Sequence, residues 1–134
     1  MPEVAGFVNH GASLITPAVV DRVLHDLPMW KVEFTQIKSP EYPHLVDQLE
    51  FLADAVEDAA EGVYRELPYY AMVQAVFVLI YAHKKLNMIS GIIPAPGSVD
   101  DSSVVRAALL QNERAFAKYA EHSRVPWAKV SIRA

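Results

Sequence analysis

From Leu67 to Ala82 the chain reads LPYYAMVQAVFVLIYA, and Gln74 is its only strongly polar side chain. A helix that is apolar all the way round sits either in the centre of a core or in a membrane. Crossing a bilayer takes about 20 apolar residues, and this run has 16. Prolines and a polar loop follow it closely. The expectation is therefore a buried central helix, finished by Lys84 and Lys85, whose cations suit the negative end of its dipole. Peripheral membrane association, by insertion of the 67–86 helix, stays open as an alternative.

A buried helix needs other elements to cover it. The chain has 134 residues, about one domain by length and enough to close a core. Two further apolar stripes have helical spacing. Leu45, Leu49, Leu52, Val56, Ala59 and Val63 form the seam of a helix from about His44 to Glu61, with Gly62 as its C-cap. Val105, Ala108, Leu109, Phe116 and Tyr119 line a helix from about Val99 to Glu121. Asn112 interrupts that stripe and needs a hydrogen-bond partner if buried.

The N-terminal third reads differently. Residues 1–15 read as a loosely held arm. Thr16 before Pro17 is a helix-start signal, and Val20, Val23, Leu24 and Leu27 give a short helix that Pro28 stops. In MWKVEFTQIK, Trp30, Val32 and Phe34 fall on every second residue. That is strand periodicity, so an extended segment lying over the helices is expected. The reading is a single all-α domain of about four helices around an apolar central helix, with an extended N-terminal segment. Residues 1–40 form the arm, the short helix and the extended segment. Residues 41–121 form the helical domain, and residues 122–134 form a tail anchored by Trp127, Val130 and Ile132.

Composition excludes several kinds of chemistry. The chain has no cysteine, which removes disulfides, thiolate zinc sites and cysteine nucleophiles. The formal net charge is −4 and the basic residues are scattered, which argues against nucleic-acid binding. The N-terminus lacks the basic start of a secretory signal, so the expected location is the cytoplasm. The five histidines are far apart in sequence and form no paired zinc motif. The one Glu-x-x-His spacing, Glu41 to His44, contains Pro43. A nucleophile elbow and a phosphate-binding glycine loop are both absent. No cofactor is implied, and the balance is against an enzyme.

Two acidic features remain. Asp47, Glu50, Asp54, Glu57, Asp58 and Glu61 recur at helical spacing on the face opposite the seam. Like charges so placed repel by a few tenths of a kcal/mol per pair, roughly. The stripe is either a screened, solvated face, or a docking face for a basic protein partner or a weak cation site. Phe51 lies beside it, and exposure of that ring would favour an interface, with a homodimer among the candidates. The second feature is Asp100 and Asp101. Ser98-Val-Asp-Asp101 fits a capping box at a helix start, and its carboxylates would face the positive end of the dipole. The same pair are the candidate ligands of a divalent cation, in a cation-dependent enzyme or sensor.

The segment Asn87–Asp101, NMISGIIPAPGSVDD, resembles the linking motif of the YkvA-like family, a helical domain of unknown function. That family places Asp-x-x-Pro-Asp-x-x-Pro-x-x-Gly-x-x-Asp-Asp between two helices. Pro94, Gly97, Asp100 and Asp101 match in register, while Asn87, Ser90 and Gly91 stand where the family has Asp, Pro and Asp. With the upstream helix the resemblance covers residues 41–121, in the manner of an extended subgroup. It implies a helical domain, and membrane association in some members. If the family's aspartates jointly hold a cation, this chain lacks two of those carboxylates. Pro94, Pro96 and Gly97 also suit a stiff turn by themselves. The functional expectation is a non-enzymatic protein-interaction module.

Overall fold

The computed structural model describes residues 2–37, 44–86 and 101–131. These residues form α1 (Pro2–Ser13), α2 (Pro17–Phe34), α3 (Leu45–Ala60), α4 (Tyr69–Leu86), α5 (Asp101–Gln111), α6 (Glu113–Ser123) and α7 (Trp127–Val130). No strand occurs among the described residues, and the fold is all-α.

The apolar run becomes α4, and α1, α2, α3 and α5 all pack against it. Ala71, Ala75, Val76, Val78 and Leu79 are fully buried, which is the central position that the run demands. Gln74 is buried as well. Its Oε1 accepts from Asn112 Nδ2 at 2.8 Å, and its Nε2 donates to Asn9 Oδ1 at 3.2 Å. Asn112 Nδ2 also donates to the carbonyl of Ala108 at 2.8 Å. The two polar residues that interrupt apolar stripes thus satisfy each other. Among the described residues no helix is long and apolar enough to cross a membrane.

The N-terminal third departs from expectation. Residues 2–13 are not a loose arm but a helix on α4 and α5. Val4, Val8 and Ala12, spaced by four, turn inward and are buried. Gly11, which reads as a breaker, is a point of close approach. A Cβ there would collide with the ring of Phe77 on α4. The expected extended segment is also helical, because α2 continues through Pro28 to Phe34. Val20, Val23, Leu27, Trp30 and Phe34 step by three and four along one face, and that stripe outweighs the loss at Pro28 of one backbone bond. Val32, the middle member of the apparent alternation, is 65 % exposed. The start of α2 is as expected: Thr16 Oγ1 accepts from the amide of Val19 at 3.2 Å.

Three smaller differences matter for the surface. Helix α3 ends near the expected place, with Gly62 at φ +79°, a left-handed conformation that glycine adopts without strain. Val63 does not join the seam but is exposed, and Tyr64 is buried in its stead. The single helix expected over 99–121 is broken at Asn112 into α5 and α6, where the side chain bonds the carbonyl of Ala108 and turns toward Gln74. Phe51 is buried, packed edge-on to Tyr119 at 5.4 Å and against Trp127 at 6.2 Å. The condition under which that ring would favour an interface, its exposure, is not met.

The Gly11–Phe77 contact yields a paired prediction. Gly11→Ala should destabilise by about 1–3 kcal/mol through overpacking. Gly6→Ala, on the same helix with nothing within 4 Å of the added methyl, should stabilise by about 0.5–1 kcal/mol. Urea denaturation of both variants checks this; a gain in stability for Gly11→Ala would contradict the packing.

Candidate functional site

The six carboxylates of the acidic stripe all project from α3 or its C-cap, but the fold treats them differently. Lys31, from α2, donates to Asp54 Oδ1 at 2.7 Å and to Glu57 Oε1 at 2.9 Å. Tyr119, from α6, donates its hydroxyl to Asp58 Oδ2 at 2.6 Å. Asp47, Glu50 and Glu61 are exposed and have no ion pair among the described residues. Half of the stripe is therefore internally compensated and half is not.

A groove opens beside this stripe, where α6 and α7 face α3. It encloses about 810 Å³. One wall carries His44, Asp47, Glu50, Asp54 and Asp58, with Phe51 beneath them. The other wall carries Tyr119 and Ser123 from α6, then Val125, Lys129 and Val130 at α7. At a rise of about 1.5 Å per residue, Asp47 and Asp58 are about 16 Å apart along the helix axis. The groove is thus an apolar trough with a carboxylate row along one side. Glu57 and Glu61 lie outside its lining.

Sequence reasoning found the acidic wall and placed Phe51 beside it. It missed Tyr119, Ser123, Val125, Lys129 and Val130, which come from the other end of the chain. In the sequence Tyr119 belongs to an inner apolar stripe and reads only as core. One signal for its second role was available: a buried tyrosine needs a partner for its hydroxyl, and uncompensated acids were the candidates.

Burial and the bond to Asp58 both raise the pKa of Tyr119 above the ordinary tyrosine value. At Lys31 burial acts to lower the pKa, but the bonds to Asp54 and Glu57 outweigh it and the net shift is upward. Tyr64, edge-on to Tyr119 at 5.2 Å, is also raised, first by burial and then by Glu66 and Glu121. The groove therefore holds a protonated phenol beside its carboxylates.

A second polar cluster joins the C-terminal ends of α2 and α4. His83 pairs with Glu33, and its ring stacks on Trp30 at a centroid distance of 4.1 Å and an angle of 11°. It clamps two helices together. Among the described residues no group of three or more histidine, aspartate or glutamate side chains converges to hold a metal ion. Pro94, Gly97, Ser98 and Asp100 lie outside the described residues; Asp101 opens α5, with its side chain outside them too. The cation-ligand and capping expectations for Asp100 and Asp101 fall there.

No family model, curated protein or solved structure matches this chain.

The raised pKa values predict a loss of stability in alkali. An unfolded tyrosine releases its proton at about pH 10 and a lysine at about 10.4. The folded chain holds both protons more tightly, so these contributions are full below those values and are lost as pH rises through the folded ones. Tyr119→Phe should cost about 1–2 kcal/mol at neutral pH by removing the Asp58 bond. It should also make stability fall less steeply than in wild type from about pH 10 upward. Urea melts between about pH 8 and about pH 11 test this; identical slopes would contradict it.

Proposed function

We propose that this protein is a non-enzymatic interaction module whose α3 groove docks a basic segment of a partner protein. The observation that carries the reading is the trough itself. Four carboxylates share one wall of an otherwise largely apolar groove, and Asp47 and Glu50 among them are exposed and have no ion pair among the described residues. Their mutual repulsion is unfavourable in the free protein. A partner's lysines or arginines relieve it, while apolar side chains between them pack on Val125, the half-buried apolar residue of the lining. Complementary charge of this kind sets specificity and association rate more than raw affinity. The YkvA-like resemblance of residues 41–121 belongs to the same proposal, and nothing in the groove reading depends on it.

The structure refines the choice of test residues. Reversing Asp54 or Glu57 would break the Lys31 bridges and confuse binding with folding, whereas Asp47 and Glu50 are exposed. A short fluorescent peptide rich in lysine and leucine should bind wild type with an affinity that falls as salt rises. Asp47→Lys with Glu50→Lys should weaken binding by at least about tenfold at unchanged melting temperature. Fluorescence anisotropy reads both, and equal binding by wild type and the double variant would reject the groove as the docking site.

A further inference from the structure

The groove already contains one cation. Among the described residues that line it, Lys129 is the only lysine or arginine. It stands on α7, a helix of only four residues, far too short to persist without tertiary contacts. The chain reaches α7 through Arg124, whose φ of 62° is left-handed, a conformation that a side-chain-bearing residue seldom adopts. That turn carries Val125 and Lys129 into the groove lining. Three attachments fix α7 to α3 and its surroundings. Gln48 Nε2 donates to the carbonyl of Val130 at 2.8 Å, Val130 is buried, and Trp127 leans on Phe51. A strap with a few local anchors thus brings one lysine, exposed and without an ion pair among the described residues, into the lining that carries the carboxylate row.

We infer that residues 125–131 are an internal competitor for the groove: Lys129 stands in for the partner's cation, and α7 moves aside when a basic segment docks. This inference rests on the docking reading above and adds regulation to it. The strap shields the carboxylate row in the free protein and sets the affinity threshold that a partner must exceed. The two tryptophans of the chain are Trp30 and Trp127, so Trp30→Phe leaves a single reporter on the strap.

The test compares binding of the lysine- and leucine-rich peptide across three proteins in the Trp30→Phe background. Lys129→Ala removes the competitor, and should tighten binding by about three- to tenfold. Arg22→Ala, exposed on α2, changes net charge equally and should stay within about twofold of the parent. Saturating peptide should shift Trp127 emission to the red as its ring leaves Phe51. Equal gains from both substitutions, no gain from Lys129→Ala, or bound peptide with unchanged Trp127 emission would overturn the strap. If Asp47→Lys with Glu50→Lys still weakens binding by at least about tenfold in that case, the docking reading stands without it. If no variant binds the peptide, both fall together.

Discussion

Everything in this fold answers to one demand: α4 has no polar face to show to water. A surface helix needs neighbours on one side only, whereas this one needs them all round. Four helices supply them. The N-terminal segment is drawn in because α2, α3 and α5 leave a side that α1 covers. Close contact there requires the missing side chain of Gly11, and the aromatic rings of Phe7, Phe77 and Tyr81 cluster across the same junction. The acidic groove is a by-product of this arrangement. With its inner face committed to α4 and α2, α3 turns its carboxylates outward, and the chain's last helices pass alongside them.

How much of this could be read in advance depended on how strongly each segment's own pattern spoke. The seam of α3, the burial of α4, the Thr16 cap and the turn at Gly62 were all legible, because each rests on local spacing or on one residue's backbone preference. Helix α2 misled for a physical reason. Trp30, Val32 and Phe34 satisfy a period of two, while Trp30 and Phe34 also continue the period set by Val20, Val23 and Leu27. Only the packing on α3 and α4 decides between them. Helix α1 was hidden by glycines that look like breakers until Phe77 is known to lie opposite. The break at Asn112 needed knowledge of Gln74, 38 residues away.

The groove shows the same divide. Its acidic wall is one helix face and could be listed residue by residue from spacing. Its other wall is assembled from α6 and α7, and no local pattern announces that Tyr119 reaches Asp58 or that Lys129 faces the same trough. Nor does spacing show that Lys31 removes Asp54 and Glu57 from the pool of free charge. Six similar carboxylates became three kinds: bridged, bonded to a phenol, and free. The free ones are the charge that the proposed docking would use, since an exposed ion pair already made contributes little.

The amide of Gln74 has a consequence beyond its own hydrogen bonds. A rod greasy on every side can rotate or slip by one turn inside its sheath and lose little burial. Such a core is prone to several near-degenerate packings. One amide that must find Asn112 and Asn9 makes each of those slipped states strand a polar group in an apolar interior, which is costly. Gln74 thus acts as an index pin. It adds little to how firmly the molecule holds together, and much to its having a single way of doing so.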